Sequence, residues 1–236
     1  MVRPTKLDHV AYWLADRDTV AGFATSHLGM HVIDRTDAFT LVGADARRGK
    51  LTLFSAEGPR ERGALEHVAL RVADLDEALA ALPTGIALER PDDDAAYFDV
   101  SDGVRLGLVR SATDGNHDYD LDHVALRSAD PEEAAARYVS LGFAPAAPGA
   151  SGFPRVEVGG AFLELHPGEP GEPERPLLNH VAVLVDSADE HIAAAKDLGV
   201  EIDDVVDAPN TYAVFLKGPE RVRIEYVEHK PTFSLT

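Results

Sequence analysis

Leu7–Asp16 reads LDHVAYWLAD, and the pattern returns as LEHVALRVAD at Leu65–Asp74, LDHVALRSAD at Leu121–Asp130 and LNHVAVLVDS at Leu178–Ser187. Its histidines, His9, His67, His123 and His180, follow one another at intervals of 56 to 58 residues. Each is preceded by an acidic or amide residue and followed by Val-Ala. A period of this length that fills the chain marks a repeated supersecondary unit.

Outward from each motif the order of local signals is constant. The motif alternates and is rich in Val and Leu, so it reads as a strand. A helix is predicted next, with Asp74 and Asp130 as N-caps and Pro131 at the first helical position. Leu28-Gly29, Leu141-Gly142 and Leu198-Gly199 supply the left-handed stops, while the second copy breaks at Leu82-Pro83. Shorter alternating runs then follow between turn residues, as in YFDV-SDG-VRLGLV and YAVFL-KGPE-RVRIEYV. The unit is therefore strand, helix and about three strands, and the fold class is α+β with four βαβββ modules. The polar stretch SATDGNHDYD reads as an interdomain linker and the Pro-rich PGEPGEPERP as a crossover within a domain. This grouping predicts two domains of two modules each, residues 1–112 and 119–236.

Composition narrows the chemistry. With 45% apolar residues, the 236-residue chain can bury a real core. A net charge of −19 disfavours nucleic acid and anionic membrane partners. No apolar run reaches the roughly 20 residues that span a bilayer. The N-terminus meets Asp8 and His9 before a signal-like stretch develops, so a soluble, cytoplasmic protein is expected. Without cysteine, disulfides, zinc fingers and thiol catalysis are excluded. Pro91-Asp92-Asp93-Asp94 lacks EF-hand spacing and reads as a solvated turn. Exposure is expected for His117 and His229, in a linker and a tail.

The four βαβββ units resemble the vicinal oxygen chelate superfamily, which includes glyoxalase I, methylmalonyl-CoA epimerase, type I extradiol dioxygenases, fosfomycin-resistance enzymes and bleomycin-binding proteins. The resemblance implies that paired units curl around a metal or ligand cleft, with ligands on the first and last strand of each unit. Strand parity places histidine opposite the aliphatic face on each first strand. On the last strands it sends Phe162, Glu164 and His166 to one face of the third unit, and Arg223, Glu225 and Val227 to one face of the fourth. His123, Glu164, His180 and Glu225 are therefore expected to form one metal site in the C-terminal domain. In the N-terminal pair Thr52 and Gly107 stand where these glutamates stand. His9 and His67 are then expected to lack an anionic ligand, in a cleft lined by Lys50, Arg71 and Arg105.

Two imidazoles and two carboxylates suit Fe2+, Mn2+, Ni2+, Co2+ or Zn2+. The competing reading pairs Glu164 and Glu225 with Arg127 and Arg223 in salt bridges. The bacterial glyoxalases that the chain resembles imply a His, Glu, His, Glu order. The extradiol dioxygenases imply only His123, His180 and Glu225. Four ligands leave room for a bidentate substrate but no oxygen, which favours proton transfer on a small oxygenated substrate by Glu164 or Glu225, with His166 as shuttle. Three ligands admit oxygen and ring cleavage. Phe215 stands where the dioxygenases carry a tyrosine, and Ala161 and Gly160 stand near where they carry a histidine. A metal-free drug-binding protein is the third alternative, disfavoured by the two glutamates. Arg127, Arg223 and Phe215 are candidate substrate contacts, the arginines for an anionic group. Trp13 is expected in the core or on the wall of the first cleft. The chain is expected as a monomer or homodimer.

Overall fold

The computed structural model describes residues 1–111, 119–149 and 151–235. The first unit comprises β1 (Lys6–Leu14), α1 (Arg17–His27), β2 (His31–Arg35), β3 (Phe39–Gly43) and β4 (Lys50–Ser55). The second comprises β5 (Leu65–Val72), α2 (Leu75–Ala80), β6 (Ala95–Asp99) and β7 (Arg105–Arg110). The third runs through β8 (Leu121–Ser128), α3 (Pro131–Ser140), β9 (Ala144–Ala146), β10 (Arg155–Val158) and β11 (Ala161–Pro167). The fourth runs through β12 (Leu178–Leu184), α4 (Ala188–Leu198), β13 (Ile202–Asp207), β14 (Thr211–Lys217) and β15 (Arg223–His229).

Each helix begins where a side chain can accept from the first turn. Asp16, Asp74, Asp130 and Ser187 accept the backbone N–H three residues on. Gly199 closes α4 in the left-handed conformation (φ +66°), which costs glycine little. The second unit departs from the expected pattern. Its helix is six residues long, ended by Pro83, and one isolated Glu89–Tyr97 bridge stands where the other units have another strand.

The pairing of units differs from chain order. One sheet runs β13-β14-β15-β12-β1-β4-β3-β2 and joins the fourth unit to the first. The other runs β6-β7-β5-β8-β11-β10-β9 and joins the second to the third. The expected division into 1–112 and 119–236 is thus corrected, because β1 pairs antiparallel with β12 and β5 with β8. The Pro-rich 168–177 connection passes between the sheets, not within a domain. It runs beside the connection between β4 and β5, with Glu61 N–H donating to Arg175 O and Leu177 N–H to Glu61 O. Residues 112–118 of the SATDGNHDYD stretch, His117 included, lie outside the described residues.

The aliphatic faces of both sheets and the four helices form one core, from Val10 and Tyr12 through Val68, Leu70, Val124 and Leu126 to Val181 and Val183. Burial of large apolar side chains at about 1.5 to 3 kcal/mol each holds this layer. Across it, the buried Tyr226 hydroxyl donates to Leu141 O at 2.7 Å and ties the fourth unit to the third. Among the described residues, no helix is long and apolar enough to cross a membrane. The Pro91–Asp94 stretch is exposed, with Asp94 N–H donating to Asp92 Oδ1.

Candidate metal centre

With the aliphatic residues committed to the core, the histidine faces line a cleft in each sheet. The parallel first-to-last strand registers align Ala11 with Thr52, Ala69 with Gly107, Ala125 with Glu164, and Ala182 with Glu225. Each of these alanines lies two residues after a motif histidine. Every unit thus presents a histidine and a last-strand residue to one face, and only the third and fourth units place glutamate there.

Because the fourth unit pairs with the first, Glu225 meets His180 and His9. Glu225 Oε2 lies 3.0 Å from His180 Nε2 and 3.2 Å from His9 Nε2, and the two Nε2 atoms are 3.0 Å apart. Three mutually cis ligands about 2.1 to 2.2 Å from an octahedral ion sit about 3.0 to 3.1 Å apart, against about 3.4 Å for a tetrahedral one. The observed triangle has the size of three ligand positions on one ion, and equally that of hydrogen bonds among the three groups. His180 and Glu225 are buried, and His9 is nearly so.

The outer atoms of both imidazoles are held. Asp8 Oδ1 lies 2.8 Å from His9 Nδ1, and Asn179 Oδ1 lies 3.0 Å from His180 Nδ1. A proton on each Nδ1 leaves the Nε2 lone pairs facing Glu225, the tautomer a metal ligand requires. These contacts depend on β-bulges. The β1–β12 register shifts between Leu7 and His9, and again opposite Asn179, between His180 and Leu178. The extra residue turns the side chain before each histidine toward the cleft, which strict alternation would forbid. In the first cleft the residue before each motif histidine is thereby an orienting group.

Charge is balanced around Asp8. Lys50 Nζ lies 2.8 Å from its Oδ1 and His229 Nε2 lies 3.3 Å from its Oδ2. Burial alone would raise the Asp8 carboxyl, but Lys50, His229 and His9 hold it well below the usual range. Burial likewise opposes charge on His9, yet hydrogen bonds to Asp8 and Glu225 raise its pKa to about 9. Burial holds His180 below its ordinary value, and the two histidines keep Glu225 strongly ionised against its own burial. Converging lone pairs and a carboxylate at this spacing require a cation between them, a proton or a metal ion.

The four expected ligands do not converge. Glu164 and His123 lie in the second cleft, because their unit pairs with the second. His67 and His123 bring Nε2 atoms within 3.0 Å of each other, and Asp122 Oδ1 lies 2.7 Å from His123 Nδ1. Glu164 turns elsewhere: Oε1 accepts from Ser151 at 2.8 Å and from Arg155 Nε and Nη2 at 2.8 and 2.6 Å. Its Oε2 lies 2.8 Å from His166 Nε2. Burial pushes the Glu164 carboxyl up, but these donors overcome it and bring its pKa to about 2. Burial, with His123 and His166 alongside, lowers His67 to about 2, so this imidazole is neutral. Among the described residues, His9, His180 and Glu225 form the group that meets metal-ligand spacing.

The remaining candidates also divide. Arg127 pairs with Glu66 at the second cleft, not with Glu164. Arg223 lies over the Phe215 ring at 3.9 Å and pairs with Asp203 at 2.6 Å, not with Glu225. Phe215 sets its edge against His180, with ring centroids 5.2 Å apart. Phe54 lies 6.4 Å from His180 and continues to Trp13 and Phe39 at 5.2 and 5.6 Å, so Trp13 belongs to a cleft wall. Of the expected basic lining, Lys50 is spent on Asp8, Arg71 on Asp122 and Arg105 on Glu89. Sequence reasoning missed His229. It shares the Glu225 face of β15, is largely buried, and stacks on Phe233 at 4.0 Å. The period-two pattern of RVRIEYVEH carried that signal. A cavity of about 500 Å³ opens beside Trp13, Asn179 and Arg223, and one of about 650 Å³ fills the second cleft.

Residues 6–84 match the family model described as Glyoxalase/Bleomycin resistance protein/Dioxygenase superfamily. None of the curated proteins matches the chain. Among solved structures, a candidate dioxygenase from Bacillus subtilis superposes with a TM-score of 0.79 at 14% identity, covering 99% of this chain and 88% of that one. Glyoxalase I from Zea mays gives 0.74 at 18% identity, covering 94% and 92%. The cppA protein from Streptococcus pneumoniae gives 0.61 at 14% identity, covering 97% and 100%.

Proposed function

For a chain with the fold of the glyoxalase, bleomycin resistance protein and dioxygenase superfamily, we propose an iron-dependent dioxygenase that cleaves a dihydroxylated aromatic ring. The observation that carries this reading is the composition of the first cleft. His9, His180 and Glu225 meet on one face, and Thr52 occupies the fourth ligand position. Proton transfer of the glyoxalase kind, favoured from sequence, needs a second carboxylate as base, and Glu164 is in the other cleft.

His9, His180 and Glu225 would hold a divalent ion, which supplies activation of dioxygen beside a substrate bound through two vicinal oxygens. The chain does the rest. Asp8 and Asn179 hold the imidazoles in register. Phe54 and Phe215 pack their rings against His180, with Trp13 beyond Phe54, and would offer flat faces to an aromatic substrate. His229, whose Nε2 lies 3.3 Å from Asp8 Oδ2, is the imidazole beside the ligand set that would take a substrate hydroxyl proton, since Phe215 has no group that can. Both atoms of the dioxygen enter the product, so no further reductant is required.

The test is oxygen uptake by the Fe2+-loaded protein with a panel of catechols, with ring-fission products followed by absorbance. Glu225→Ala is expected to abolish uptake and Glu164→Ala to preserve it. Isomerisation of a hemithioacetal without oxygen uptake would overturn the reading.

A further inference from the structure

We propose that the second cleft is a duplicate divalent-metal site held shut by Arg155, and that Arg155→Phe would open it to a first-row transition-metal cation. The proposal rests on the metal reading of the first cleft only for its template.

The two clefts agree closely. The Nε2 atoms of His67 and His123 are 3.0 Å apart, as are those of His9 and His180. Ring centroids are 5.1 Å apart in both pairs, with interplanar angles of 73° and 76°. His67 and His123 are both buried. Glu164 pairs with Ala125 as Glu225 pairs with Ala182, so both carboxylates start from the same backbone position relative to a first-strand histidine.

The difference lies directly across the neighbouring strand. Opposite Glu225 on β14 stands Phe215, which offers a carboxylate nothing and leaves it to the histidines. Opposite Glu164 on β10 stands Arg155, whose Nε and Nη2 both reach Oε1. A charge-assisted pair of this geometry, joined by Ser151, outcompetes the imidazole pair for the carboxylate. His166 takes the second oxygen, at the position where the fourth unit has Val227. At the remaining ligand position Gly107 carries no side chain, and the Tyr97 ring fills the space that a Cβ would occupy. The histidines therefore remain paired without an anion, and two neutral imidazoles alone hold a divalent ion weakly.

The stripped full-length protein is titrated with Co2+ under argon, bound metal being counted by mass spectrometry and the visible d–d spectrum recorded. Wild type is expected to bind one Co2+ and Arg155→Phe two, the second lost again in Arg155→Phe/His67→Ala. Arg155→Met, which keeps the aliphatic stem, is the second variant should phenylalanine disturb folding, and it is expected to give the same count. The converse change, Phe215→Arg, is expected to remove the site in the first cleft. His180→Ala separates the two ideas: with it, wild type at 155 should bind none and Arg155→Phe one. A wild-type protein with no Co2+, beside an Arg155→Phe protein with one that needs His67, would refute the first-cleft reading and sustain this one. Two Co2+ in wild type, or no gain in either variant at 155, would overturn it.

Discussion

Asp8 and His9 are consecutive residues whose side chains point into the same cleft, with Asp8 Oδ1 2.8 Å from His9 Nδ1. A bulge in β1 makes this possible, and the same device recurs one residue before His180. An adjacent pair can thus act as ligand and orienting group, with the geometry stored in a backbone irregularity.

Asp8→Asn keeps the size of the side chain but removes the charge that fixes His9 and neutralises Lys50. Affinity for Co2+ in the first cleft is expected to fall about 10- to 100-fold, the usual cost of losing such a partner. Competition against a chelator of known affinity measures it. An unchanged affinity would show that the bulge contributes nothing to the ligand set.

The assignment of carboxylates gives a second expectation. Glu225→Ala should leave the first cleft unable to retain metal, while Glu164→Ala should retain metal there, because Glu164 contacts Arg155, Ser151 and His166 instead. Metal content after desalting decides between them. Equal loss in both variants would restore a shared four-ligand site.

Acid stability follows from the depressed Glu164 carboxyl. Its pKa falls from an ordinary value near 4.5 to about 2 in the folded protein. The unfolded chain therefore takes up a proton first as pH drops, so the contribution is complete above 4.5 and is lost as pH falls toward 2. Glu164→Gln should flatten the stability curve across that window, read by urea unfolding at successive pH values. The same slope in wild type and variant would contradict the clasp.

The ring cluster beside His180 predicts substrate preference. Trp13→Ala should raise KM for an aromatic diol about 2- to 13-fold, from about 0.5 to 1.5 kcal/mol of lost ring contact. A small aliphatic substrate should feel the change little. Steady-state oxygen uptake with both substrate types checks the contrast.

One contact that joins the two paired-unit sheets is testable apart from any activity. Tyr226→Phe deletes the hydroxyl that meets Leu141 O and leaves that carbonyl without its buried donor. A loss of about 1 to 3 kcal/mol is expected in denaturant unfolding. No measurable loss would mean that the apolar core and the other polar contacts across the junction, such as Gly49 N–H to Asp120 Oδ1 and Ser128 Oγ to Glu220, hold the sheets without it.

The repeated motif by itself determined the unit and the chemistry of its face. Alternation around His9, His67, His123 and His180 committed Val and Leu to a core and histidine to a cleft, because side chains on a strand alternate strictly between two faces. It also located the two glutamates at the last-strand positions. It could not say which unit sits beside which. Four similar first strands have similar edges, and only the packed structure chose β1 with β12 and β5 with β8. That choice moved Glu225 to His9 and separated it from Glu164. The bulges were hidden for a related reason: an inserted residue is visible only against its partner strand, so Asp8 and Asn179 read as members of the aliphatic face until the register was known. Whether Glu164 met histidine or Arg155 likewise depended on a cross-strand neighbour nine residues away, a relation set by hairpin register and not by local pattern.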